Sequence, residues 1–317
     1  MMLNKNLIKL FLISFILTVF SFTGLKSAEK DYYQGVRAGF GSGDLDMLFE
    51  LCTEWQEGEP ENLLPLYIQA YIYHINHYPD EGTNMLLRVS EINPYAEQQL
   101  IPFAERLLED LPENPHAMII LGEALIRSDR YEEAKDVLKK SISFLPVSAI
   151  SHYLLGYIYI VSEDEEAVER HLLTGIDVDP CFLPNYTMLG DYYSQSGNRD
   201  AAEKIYKQGL KRSMRKKRTA SFHLKLALIY TEKANYKKAI KILEEGLKIK
   251  PDNPGLMLTL GDIYMESGDF DKAEEIFKEN FRFVEDGGEL YSLALKARLQ
   301  RIEDERKEKE RGKIRYD

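Results

Sequence analysis

One histidine pair in this chain has a ligand-like spacing. In YHINHYPDEG, His74 and His77 stand three residues apart, with Asp80 and Glu81 just beyond. On a helix, side chains at i and i+3 share a face, and imidazole beside carboxylate suits a transition metal. Two histidines without a third convergent ligand make a weak site, so no metal or other cofactor is expected. No phosphate-cradling GxxxxGK[ST] loop, HExxH pair or CxxC pair occurs. Carboxylates are plentiful but show no paired arrangement of the kind that splits acid and base roles. A non-enzyme is therefore expected. The two cysteines, Cys52 and Cys181, lie far apart in the chain and are expected as unpaired thiols, one of them buried.

Charge narrows the partners. The formal net charge is −11, which argues against a nucleic-acid backbone. One basic run stands out, KRSMRKKR, comprising Lys211, Arg212, Arg215, Lys216, Lys217 and Arg218. Such a run suits an anionic headgroup or an acidic partner. Its competing role is to complement the C-terminal dipole of a helix. At the N-terminus, Lys5 and Lys9 precede LFLISFILTVF and then small and polar residues. This is the layout of a secretory signal peptide over residues 1–27, with an uncleaved membrane anchor as the alternative. The expected location is periplasmic or extracellular, or at the membrane surface through that anchor.

The elements that would position any site come from repetition. Leu121-Gly122, Leu155-Gly156 and Leu189-Gly190 recur every 34 residues, Leu226-Ala227 follows, and Leu260-Gly261 comes 34 later. Twelve residues after each small residue comes Ala134, Val168, Ala202, Ala239 or Ala273. Four further on comes Leu138, Leu172, Tyr206, Leu243 or Phe277. Two antiparallel helices meet these demands: small residues where the backbones cross, and large ones on the same faces. The turns RSDRYEEA, QSGNRDAA and ESGDFDKA supply Gly, Asn and Asp for the bend and acids for the next helix start. Fainter copies start at Ala70 and Val36, where Trp55 fills a slot that is small elsewhere. Between Ala70 and Gly122 lies one extra helix, PYAEQQLIPFAERLLEDL, giving seven pairs plus one helix.

The pattern L-G-x2-Y, A-x3-F and P at this period resembles the tetratricopeptide repeat family. The large aromatic early in the first helix is replaced here by Met118, His152, Tyr186, His223 and Met257, so His152 and His223 are expected as packing residues. The resemblance implies an all-α, right-handed superhelical solenoid of antiparallel helix pairs. The expected layout is a signal peptide or anchor at 1–27, degenerate repeats at 28–113, five repeats at 114–285, and a capping helix with charged tail at 286–317. In family terms, the inner positions lie three before, one after, and four or five after the small residue. That places Tyr67, Tyr71, His74, Tyr153, Tyr157, Ile160, Asp191, Asp262 and Glu266 in a groove, aromatic toward the N-terminus and acidic toward the C-terminus. Such a groove implies a protein or peptide partner, with basic segments preferred, and no small-molecule substrate. The function expected is a non-catalytic interaction scaffold of the cell envelope. The alternatives are an assembly factor working through its outer face and tail, or an enzyme subunit with a site in residues 30–113.

Overall fold

The computed structural model describes residues 32–93, 96–213, 219–283 and 289–314. The export segment and Arg215, Lys216, Lys217 and Arg218 of the basic run lie outside the described residues. Lys211 and Arg212 are exposed in the last turn of a helix.

Among the described residues the secondary structure is entirely helical. The helices are α1 (32–42), α2 (Leu45–Gly58), α3 (Leu64–Ile75), α4 (Pro79–Ile92), α5 (Glu97–Asp110), α6 (Pro115–Arg127), α7 (Tyr131–Phe144) and α8 (Ala149–Val161). They continue as α9 (Glu165–Val178), α10 (Leu183–Gln195), α11 (Arg199–Arg212), α12 (Ala220–Glu232), α13 (Tyr236–Ile249), α14 (Pro254–Glu266), α15 (Phe270–Phe283) and α16 (Glu289–Ile314). They form two compact units, the first ending at Ala167 and the second beginning at Val168, within α9. α5 is the extra helix between the second and third pairs.

The turns show why the chain folds into pairs. We number positions from the small residue of each first helix: Val36, Ala70, Gly122, Gly156, Gly190, Ala227 and Gly261. Seven described residues have positive φ: Gly43, His77, Asp129, Glu163, Gly197, Ala234 and Gly268. Every one is at position +7. A left-handed residue there lets the N–H of position +8 reach back to the carbonyl at +3, as in Asn198 to Tyr193 and Asn235 to Tyr230, both 2.8 Å. This bond closes the helix C-terminus. Position +8 then starts the next helix. The side chains of Asp44, Asp164, Asn198, Asn235 and Asp269 each accept from a backbone N–H three residues on, satisfying donors that a helix start leaves bare. A three-residue turn stopped and restarted in this way reverses the chain.

Packing follows the same register. α3 packs on α4, α6 on α7, α10 on α11, α12 on α13 and α14 on α15. A Cβ at Gly122 would come within 2.7 Å of the Leu138 side chain, and at Gly190 or Gly261 it would collide with the ring of Tyr206 or Phe277. These glycines therefore set the close approach within a pair. A second contact, at position +19, joins several pairs to the next. Gly209 lies against Phe222 and Gly246 against His223, while Ser141 hydrogen-bonds Ser151 at 2.7 Å. His152 and His223 are buried as packing residues, and His223 Nδ1 lies 2.7 Å from the Thr219 carbonyl.

α16 continues this scheme with one face altered. Lys225 and Lys233 of α12 and its turn reach back to Asp191 and to Asp200 and Glu203. Arg298 and Arg306 of α16 reach back in the same way to Asp262 and to Asp271 and Glu274. Both offsets from α12 to α16 are equal. Phe222 and Ile229 correspond to Leu295 and Ile302, which are buried. His223, Ala227 and Tyr230 correspond to Lys296, Gln300 and Glu303. Thus α16 keeps the face that packs on the preceding pair and is polar where a second helix would pack, as the end of a repeat stack requires.

Candidate functional site

The inner-register positions of the first helices differ sharply along the chain. On α1 these positions are Tyr33, Arg37, Phe40 and Gly41; Tyr33 and Phe40 are buried, while Arg37 and Gly41 are exposed. The Tyr33 hydroxyl donates to the Asp110 carboxylate at 2.8 Å, and the Arg106 carbonyl lies 3.1 Å away. The Arg106 guanidinium sits 3.8 Å above the Tyr33 ring, whose edge meets Phe103 at 5.8 Å. Burial and the Asp110 carboxylate push the Tyr33 hydroxyl up to about 12. Arg37 pairs with Asp110 at 3.6 Å. Phe40 stacks on His116 and its carbonyl accepts from Asn114 Nδ2 at 2.8 Å. Gly41 faces Leu111.

The same closure corrects part of the expected groove. Tyr67 and Tyr71 are 5% and 2% exposed, so they are core residues and not surface contacts. The Tyr71 hydroxyl hydrogen-bonds His116 Nδ1 at 2.6 Å. Burial raises the Tyr71 hydroxyl and lowers the His116 imidazole, disfavouring the charged form of each. His74 is half-buried, its ring against the backbone position of Gly82. It does not share a helical face with His77, because α3 ends at Ile75 and His77 occupies the left-handed turn position. Among the described residues no three His, Cys, Asp or Glu side chains are grouped to hold a metal ion. Cys52 is buried and Cys181 half-buried, both as free thiols, and burial pushes the Cys52 thiol up to about 12.

Unit 1 also holds a cleft of about 720 Å³ between the α2–α3 loop and α5, lined by Glu59, Asn62, Leu64, Pro102, Phe103 and Arg106 among others. Glu59 uses Oε2 to accept from Trp55 Nε1 (2.9 Å) and Asn62 Nδ2 (3.1 Å). That carboxylate fastens the loop to α2. Trp55 fills position +19, where a small residue elsewhere lets the next first helix come close. Here its ring packs on Tyr32 and Phe103 instead.

α8 is open. Tyr157 is 39% and Val161 46% exposed, and Tyr153 and Ile160 are half-buried beside them. In unit 2, the acids at position +1 are engaged within the protein. Asp191 accepts from Lys225 Nζ at 2.6 and 2.8 Å and from the Tyr206 hydroxyl at 2.5 Å. Asp262 takes a two-pronged contact from Arg298 at 2.6 and 3.0 Å. The expected acidic half of the groove is therefore largely neutralised, which removes its reason to prefer basic segments; Glu266 remains exposed at the end of α14. Sequence reading missed Lys225 because it sits two before Ala227, outside the inner positions of its own helix. Its spacing of 34 from Asp191, one full repeat, was the available signal. It also missed exposed Leu228 at position +1, flanked by half-buried Leu224 and Leu258.

Three family models described as tetratricopeptide repeat match residues 115–144, 187–254 and 230–299. A bovine protein, BBSome complex member BBS4, is 24% identical over 213 residues, covering 67% of this chain and 37% of its own length. The yeast Tom70 crystal structure overlays with a TM-score of 0.54 at 12% identity, covering 83% of this chain and 60% of that one. The C-terminal part of a repeat protein from Cytophaga hutchinsonii overlays with a TM-score of 0.52 at 15% identity, covering 64% and 81%. The chain thus spans 37% of the bovine protein and 60% of the yeast one, less than two thirds of either, and at these identities the structural likeness speaks for the fold.

Proposed function

Because this chain is a tetratricopeptide repeat protein, we propose that it serves as a non-catalytic scaffold of the cell envelope, holding a polypeptide segment on its open inner-register faces. Repeats of this kind are in general platforms for protein–protein contact. The observation that supports a peptide site is the open surface of α8, where Tyr157 and Val161 stand exposed beside half-buried Tyr153 and Ile160 on a helix otherwise buried. Exposed Tyr gives a large contact area at low entropic cost. The envelope location rests on the basic, apolar and small-residue order of residues 1–27. An intact N-terminus on protein that only detergent releases would overturn the export half of this reading.

The binding half is tested with a partner recovered from envelope extract. Tyr153→Ala combined with Tyr157→Ala should weaken retention by about 2 kcal/mol or more, the usual effect of losing central aromatic contacts, while the melting curve holds. Retention that survives this pair but is lost on deleting residues 303–317 would move the site to the outer face and tail.

A further inference from the structure

We propose that the cleft between the α2–α3 loop and α5 binds a small zwitterion with an apolar side chain, an amino acid or a dipeptide. Its ammonium lies against Glu59 and Glu61 of the loop and its carboxylate against Arg106 of α5. None of the lining residues occupies an inner-register position. One wall is α5, the helix that the repeat does not supply, so the repeat pattern by itself implies nothing about this cleft.

The cleft has a volume of about 720 Å³, within the range of about 300–1,000 Å³ that usually holds small molecules. Gln99, Phe103 and Arg106 recur at helical spacing on α5 and so share a face, which with Pro102 forms one wall. Arg106 is exposed, and its guanidinium lies 3.8 Å above the Tyr33 ring. Among the described residues no carboxylate pairs with it. Asp110, which accepts from the Tyr33 hydroxyl, pairs with Arg37 instead. Stacking fixes the plane of the Arg106 guanidinium and leaves its edge N–H groups to a carboxylate, which arginine can hold with two parallel bonds.

The loop wall is short of donors. Glu59 Oε2 accepts from Trp55 and Asn62, but Glu59 Oε1 is buried with no hydrogen-bond partner. So is Gln56 Oε1, whose amide nitrogen holds the Pro60 carbonyl at 2.8 Å. Buried acceptors left unpaired are costly, and an ammonium brings three donors and no acceptor. Glu61, exposed on the same loop, adds a second negative charge. Among the described residues neither Glu59 nor Glu61 pairs with Arg106 or with another cation, so opposite charges line one cleft without cancelling. A ligand carrying both charges satisfies the two walls at once. A simple carboxylate meets two acids, and a simple amine meets the guanidinium. Phe103, Pro102 and Leu64 supply apolar surface for the side chain.

Trp55 reports on the cleft, because its Nε1 is bound to Glu59 and its ring packs on Phe103 at 6.1 Å, and it is the chain's one tryptophan. The test titrates the full-length mature chain with L-phenylalanine, L-phenylalanyl-L-alanine, L-phenylalaninamide and phenylpropionate, following Trp55 emission and, in parallel, heat by calorimetry. At least one of the two zwitterions should bind saturably. Binding of phenylalanine identifies a free amino acid as the ligand, and binding of the dipeptide alone identifies the longer zwitterion. The amide lacks the carboxylate and phenylpropionate lacks the ammonium, so each should bind about tenfold more weakly or worse, as loss of a charged hydrogen bond implies. Arg106→Gln should weaken the zwitterion by about tenfold or more and leave the amide unchanged, and Arg106→Lys should restore part of the loss, since it keeps the charge without the fork. Arg88→Gln, at an exposed arginine on α4, should have no effect. These are surface changes, so matched melting curves exclude misfolding. No saturable binding by either method, an amide or phenylpropionate that binds as tightly as the zwitterions, or full binding by Arg106→Gln would overturn the proposal. The scaffold reading stands or falls separately, on partner retention by the Tyr153 and Tyr157 double variant.

Discussion

α1 and α12 are the same kind of helix in two settings. Both are first helices of a pair, both end in the same left-handed turn, and both present positions −3, +1, +4 and +5 on one face. On α1, α5 covers Tyr33 and pairs with the half-exposed Arg37, and the start of α6 covers Phe40. On α12 the +1 residue, Leu228, stands more than half in the open. The repeat fixes which residues share a face. What covers that face is decided by a segment that does not repeat.

The largest expected effect tests the buried face of α5. Leu107 of α5 is 1% exposed, and Leu107→Ala should cost about 3 kcal/mol, the usual range for a buried leucine. Leu228→Ala should cost less than about 0.5 kcal/mol, as surface changes do. Chemical denaturation measures both, and similar losses for the two would erase the distinction between closed and open faces.

A smaller effect separates the units by pH. Burial holds His116 and His152 of unit 1 below the ordinary imidazole value of 6.5. A depressed folded value means that the stability they contribute is present above 6.5 and is lost as the pH falls below it. In unit 2, burial pushes the Glu203 carboxyl up, but bonds from Lys207, Lys233 and Tyr230 outweigh this and hold it at about 2, against an ordinary 4.5. Its contribution persists down to about 4.5 and is lost toward 2. The chain's one tryptophan, Trp55, is in unit 1. Trp55 emission should therefore respond to acid before the bulk of the helical signal does, and simultaneous loss of both would show that the units do not titrate independently.

The smallest effect concerns what the two units share. Ala234 adopts φ of 53° at position +7, a conformation that costs an L-residue roughly 1–2 kcal/mol. Ala234→Gly relieves that cost but adds freedom to the unfolded chain. A net gain of about 0.5 kcal/mol is expected from thermal melts, and a loss would mean that the turn depends on the alanine methyl group.

Legibility in the sequence follows from repetition. The crossing glycines, the Asp and Asn caps at position +8 and the aromatic partners Tyr206 and Phe277 all recur at fixed spacing, so each copy corroborates the others. Tyr67 and Tyr71 were assigned to a groove by the same register, and the register itself is sound. What the register could not show is the contact that covers them, such as His116 of α6 against the Tyr71 hydroxyl, 45 residues away in the chain. The ion pairs of Asp191 and Asp262 escaped notice for a related reason. Sequence marks acids on a face, but not the lysine or arginine that reaches over from the next helix.

The tethering of α5 has a consequence for competition. A helix carried on the same chain meets its seat at an effective concentration on the order of millimolar. A free helix with the same intrinsic fit, present at micromolar levels, would occupy α1 in only about one molecule in a thousand. Partners of ordinary abundance are thereby barred from the first pair and are left with the faces that no part of the chain has claimed.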